Sequence, residues 1–480
     1  MVGKPAMAGA DTIERLQNYL RALAPQARAL LLGEFERSLL RGEDLGAAEI
    51  VLQELRRIAR EQQAGPPRIG HTARMFFKPL EPFLVDDLGQ HRHPGRIARA
   101  SLEPLWTWIG RDLVPRDTAE LDDLVNTALQ AGDDEKAQYL IRTLQDRVAI
   151  ALNDSMRMAA VDEQARRRLL GQIGTQRAEE DAQTLKCVLR ARDGLHAMQA
   201  RLPVQVGNLS SKTLDEYKAL IEKTGAPGSD IFLYSLLTVR SRLAAPWQLI
   251  RFGVKAAGSD TAARVAETPY GVSVSIVLSE LERQVLELRD DLRSGRGVAT
   301  GALLKTIHDS ARGLRTELDL PVDSTWGRTL SGLRGQIGET LRAEIESMPG
   351  RVRRLLRVRS ASNIAPKSTV DEQDAAETEA LVSFVGTCRH FAGELAINEM
   401  TQRAYSDLQQ FLDNNINSLI DALRQSGPGE RPFRKSQVDV AVRLCALVFG
   451  KDYAVQFARA AEVAAASAEG GGKGYRAASA

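Results

Sequence analysis

From Arg116 to Leu202 the chain contains no proline, and its only glycines there are Gly132, Gly171, Gly174 and Gly194. A backbone free of proline can keep its i→i−4 hydrogen bonds running, so such a tract favours long helices, with a break near Gly171–Gly174. The clearest periodic segment lies further on. Val274, Leu278, Leu281, Val285, Leu288 and Leu292 recur at steps of four and three, one apolar seam on a helix over 270–293. It is shorter than a free coiled coil requires, so a bundle helix facing its own core is the default reading. Ala, Leu, Arg and Glu dominate, and aromatic residues make up only 5% of the chain, which adds to the helical bias. The expected fold is all-α: elongated multi-helix bundles with long antiparallel helices, helical hairpins and a separate C-terminal helical unit.

The 480 residues exceed one ordinary core and divide by composition. Residues 1–65 read as an N-terminal hairpin, with stripes Leu31, Phe35, Leu39 and Leu40, then Ile50, Val51, Leu55 and Ile58, across an Arg41–Asp44 turn. Residues 35–51 echo 125–141, around Gly42-Glu43-Asp44 and Gly132-Asp133-Asp134; a true repeat and a shared turn chemistry both account for this. Residues 66–116 carry seven prolines with Phe76, Phe77, Phe83, Trp106 and Trp108, which suits short helices and ordered loops packed on a neighbour. A main long-helix bundle is expected over 117–358. Within it Ile231–Phe252 reads as buried and broken near Pro246, the glycines of 327–338 weaken a helix, and Pro349-Gly350 offers a break. Polar residues 359–370 read as a linker, 371–466 as the C-terminal unit with a last helix from about Lys435 to Ala466, and 467–480 as a disordered tail.

Charge and cysteine usage narrow the function classes. The net charge of +2 comes from 64 basic and 62 acidic residues, so no global field draws nucleic acid or an anionic membrane; only a local patch could. Cys187, Cys388 and Cys445 lie far apart, which fits reduced thiols and a cytoplasmic location. Asp11, Glu14 and Arg15 interrupt any leader-like apolar run, and Ile231–Val239 is too short to cross a bilayer. Phosphate-loop, dinucleotide-binding, zinc-protease and serine-hydrolase motifs do not occur, and no cofactor is expected.

A few clusters could carry chemistry. His91 and His93, with Asp87 nearby, supply imidazole and carboxylate donors for a transition metal; an exposed loop accounts for the same residues. Arg351, Arg353, Arg354, Arg357 and Arg359 interleave with aliphatic residues as a basic amphipathic helix suited to phosphates or lipid, or to a solvated bundle end. Trp106 and Trp108 suit either a partner anchor or a small helical core. Cys388 and His390, two apart on a helix, point in different directions and make no catalytic pair. Pro79-Leu80-Glu81-Pro82 matches a minimal proline-rich ligand, but its flanking phenylalanines favour structural prolines.

The first expectation is a non-enzymatic interaction or scaffold protein with a protein partner, or self-association through the 274–292 seam. The second is a helical enzyme or ligand-binding protein with a metal or substrate site in residues 71–112. The third is peripheral contact with a membrane surface or nucleic acid through 351–359.

Overall fold

A computed structural model describes residues 71–86, 93–175, 177–294 and 300–470, with isolated positions between Leu20 and Leu55. The chain divides into two units, Met1–Met75 and Phe76–Ala480. In the first, Leu20 and Leu55 are buried, with Leu32, Phe35 and Val51 packed against them. Phe35, Val51 and Leu55 are members of the expected hairpin stripes, whereas Leu31 is exposed; the turn at Arg41–Asp44 and the rest of the 35–51 echo lie outside the described residues.

Helices are numbered from the first one described: α1 His71–Phe77, α2 Leu102–Trp108, α3 Pro115–Gln130, α4 Asp134–Val161, α5 Glu163–Ile173, α6 Ala178–Arg201, α7 Ser211–Thr224, α8 Phe232–Arg240, α9 Ile250–Ala257, α10 Ala262–Ala266, α11 Val272–Arg293, α12 Gly301–Glu317, α13 Thr325–Leu355, α14 Glu372–His390, α15 Ala392–Leu395, α16 Asn398–Arg424, α17 Arg431–Phe449 and α18 Lys451–Gly470. The fold is all-α. Its sheet content among the described residues is one parallel pair, β1 Leu84–Val85 against β2 Ile97–Ala98, and two isolated bridges.

Local signals place the breaks. Asp133 and Asp162 cap α4 and α5, their carboxylates accepting from the amides of Lys136 at 3.0 Å and Gln164 at 2.8 Å. Ser210 and Ser324 do the same for α7 and α13. α8 is buried from Phe232 through Val239 apart from Leu233, as an all-round apolar stretch requires. The Pro-broken segment folds over it: Phe83 meets Tyr234 edge-on at 5.4 Å, and Gln145 of α4 donates to the Phe76 carbonyl at 2.8 Å.

The seam on α11 is covered by its own chain. Val274, Leu281, Val285 and Leu288 are fully buried where α11 packs on α9, α12 and α13. The surface expected to drive self-association is therefore occupied.

α13 corrects the sequence reading. It runs unbroken through Gly327, Gly332, Gly335 and Gly338, and through Pro349. Leu330, Leu333, Ile337, Leu341, Ile345, Met348 and Val352 form one buried stripe against α11, α14 and α16. Burying those side chains outweighs the glycine penalty of about 1 kcal/mol each and the one backbone bond Pro349 forgoes.

The C-terminal helices break more often than expected. The 371–425 tract bends through α15, where Ala396 takes a left-handed conformation (φ 58°). The expected last helix is two helices, α17 and α18, parted at Gly450, whose φ of 97° and ψ of 164° suit only glycine. Residues 359–370 are tied down rather than free. Ile364 and Val370 are buried, Lys367 donates its amide to the Gly429 carbonyl at 3.1 Å, and the Val370 amide bonds Ser436 Oγ at 2.9 Å. α14 and α16 pack directly on α13, so these helices belong to the same unit as the rest of the chain from Phe76 onward.

Candidate functional site

A buried carboxylate organises a polar cavity. Glu280 lies one residue before the seam position Leu281, on the flank of α11 that meets α8 and the Pro-broken segment. Arg283 follows one turn later and reaches Glu280 Oε1 at 2.7 Å and Glu287 Oε2 at 2.9 Å. Arg240, the last residue of α8, pairs with the same Oε1. Arg96 approaches Oε2 at 3.8 Å and donates through its other guanidinium nitrogen to the Pro82 carbonyl at 3.0 Å.

Arg96 is delivered by a tight turn. Its amide donates to the His93 carbonyl at 3.1 Å across Pro94-Gly95, and Gly95 has a φ of 66°. Gly95 also lies flat on α8: a side chain there would come within 2.7 Å of Leu237 Cδ1. Positive φ and close approach together require glycine.

Three guanidiniums thus share one buried carboxylate. Burial pushes the Arg96 guanidinium down to about 10, and neighbouring Arg240 pushes the same way. Arg240 is lowered for the same first reason, desolvation. Burial alone would raise Glu280, but Arg240 and Arg283 more than offset it and hold the carboxyl below its ordinary range. The buried Nε of Arg240 has no acceptor among the described residues. Above this cluster opens a cavity of about 490 Å³, walled by Leu84, Val85 and Arg99 on one side and by Leu286, Glu287, Asp290 and Asp291 of α11 on the other. Arg99 is neutralised by Asp86 at 3.1 Å and Glu81 at 3.6 Å. The volume suits a small molecule. Chemically the floor can bind and orient an acid group; with Glu280 held ionised and arginines that keep their protons, it is poorly suited to proton transfer near neutral pH.

The residues singled out from sequence are scattered. His93 is buried and lines a narrow gap of about 10 Å³ behind the cluster, while Asp87 and His91 lie outside the described residues. No group of three His, Cys, Asp or Glu converges among the described residues. Trp108 is 1% exposed and belongs to the core, so it is no surface anchor; Trp106 is half-buried against Phe76 and Phe77, with ring centroids 5.5 and 6.1 Å away. Of the basic segment, α13 ends at Leu355, so Arg357 and Arg359 fall beyond the helix. Arg351 pairs with Glu377 at 3.3 Å, Arg353 with Asp407, and Arg359 stacks over Phe433 at 5.1 Å; Arg353, Arg354, Arg357 and Arg359 are all exposed. Cys388 is fully buried, its thiol pushed up to about 12 by desolvation, and His390 is exposed beside Phe391.

Arg96, Arg240, Glu280 and Arg283 were not singled out by sequence. Two signals were available: Arg240 closes an otherwise apolar helix, and Glu280 interrupts the run Val272–Leu281. Comparison of the chain with known protein families, with curated proteins and with solved structures finds no match. Among the described residues, no helix is long and apolar enough to cross a membrane.

Proposed function

We propose that this is a ligand-binding helical protein, without catalytic activity of its own, that seats a small acidic molecule in the cleft between residues 84–99 and α11. One observation carries the reading: three guanidiniums converge on a single buried carboxylate at the floor of a 490 Å³ cavity. An acid group entering there would meet charge-assisted donors already held in place. Residues 84–99, one wall of the cleft, lie within the 71–112 segment from which a binding site was expected, whereas Arg240, Glu280 and Arg283 lie outside it. Three buried, unpaired thiols support a reducing compartment such as the cytoplasm. The test is titration calorimetry of the full chain with inorganic phosphate and with short carboxylates. Binding that weakens about tenfold or more in Arg240→Met is expected. Absence of binding by every acid at millimolar concentration would end the proposal.

A second reading, self-association, is favoured by the outward face of α4. Tyr139, Ile150 and Val161 are 70, 65 and 88% exposed and stand eleven residues apart, about three helical turns, so they line up on one side. Sedimentation velocity would show a dimer that Ile150→Glu dissociates; a monomer at high micromolar concentration removes this reading.

A further inference from the structure

The cleft is electrically polarised along α11. At its floor Arg96, Arg240 and Arg283 face Glu280, and Arg283 also pairs with Glu287 at 2.9 Å. Toward its mouth Glu287 and Asp290 follow one and two turns after Arg283, joined by Asp291, and the opposite wall is self-neutralised by the Arg99–Asp86 pair. Resting on the acid-binding reading above, we propose that the ligand is dipolar: its acid group sits on the guanidiniums, and an amine or other cationic group is held by Glu287 and Asp290. At about 1.5 Å of rise per residue, Glu287 and Asp290 lie about 6 and 10 Å along the helix from Arg283. That span sets the separation of the ligand's two charges.

Two features set this apart from a solvated acidic rim. The floor holds a buried donor, Arg240 Nε, with no acceptor among the described residues, beside the guanidinium nitrogen that pairs with Glu280. The mouth selects against the alternative occupants of an arginine floor. A polyanion, such as a chain of phosphates, would place its later charges against Glu287 and Asp290, and like-charge contact of that kind is a common device for rejecting a wrong partner. A plain monoacid would fill the floor and leave the mouth unused.

The experiment compares matched probes on the full chain by calorimetry: unbranched ω-aminocarboxylates from 4-aminobutanoate to 10-aminodecanoate, plain carboxylates of the same lengths, and inorganic phosphate. The amine-bearing acid is expected to bind about tenfold tighter than its plain counterpart, with the advantage greatest near 8-aminooctanoate, whose charges are separated by about 10 Å. Asp290→Lys, a change at an exposed position, is expected to abolish that advantage. Equal binding of both series at every length, with Arg240→Met weakening both, would overturn the dipolar ligand while leaving the acid-binding cleft standing. A preference for amines that survives Asp290→Lys and Glu287→Gln would also overturn it. Failure of every acid, phosphate included, would overturn both.

Discussion

Replacing Glu280 with alanine should lower the unfolding free energy by about 3–5 kcal/mol, because it leaves the largely buried Arg96 and Arg240 without their carboxylate partner. The side chains of Glu280 and Arg96 are only 8 and 7% exposed, so water cannot take over the solvation. Equilibrium urea unfolding reads the loss directly. Adding Arg96→Met and Arg240→Met to the alanine variant should restore much of the stability, since the cost lies in uncompensated charge rather than in the missing carboxylate. A Glu280→Ala protein with wild-type stability would show the cluster to be water-filled and energetically idle. The pH dependence has a fixed sign. Glu280 is held below its ordinary value, so its contribution is complete above pH about 4.5 and drains away as pH falls through the lower folded value. Glu280→Gln should flatten that acid limb.

The second large effect is expected at Trp108. Truncation to alanine should cost about 3–5 kcal/mol, the range for removing a large aromatic side chain from a close-packed interior. Trp108 packs with the fully buried Leu105 and Ile109 in the segment that lies over α4, α6 and α8. A lowered urea midpoint with an unchanged slope would place the loss in the core. If Trp108→Ala left the midpoint where it was, the side chain would be dispensable to folding, and a binding role for it would regain force.

The helices were legible in the sequence wherever one periodic stripe faced one neighbour. α11, with its seam from Val274 to Leu288, and the α3–α4 hairpin around Gly132 follow the local pattern closely. α13 did not, because its stability comes from partners far along the chain and outweighs what its glycines prefer locally. The cleft was hidden for a related reason. Glu280, Arg283 and Glu287 at three- and four-residue spacing look like ordinary surface ion pairs on one helix. Only the fold brings Arg96 and Arg240, 184 and 40 residues away, onto that carboxylate (280 minus 96, and 280 minus 240). Histidines drew attention by chemical type, whereas the arginines of a chain with 64 basic residues carried no such mark.

α13 owes its shape to its surroundings. Five glycines and a proline leave its thirty-one residues little tendency to coil alone; as an excised peptide it would be mostly unstructured. Yet it packs on α11, which frames the cleft, and also on α14 and α16 near the far end of the sequence. Loosening either side withdraws the support on which its winding depends. Damage among the C-terminal helices would therefore reach the wall of the cleft through this shared brace.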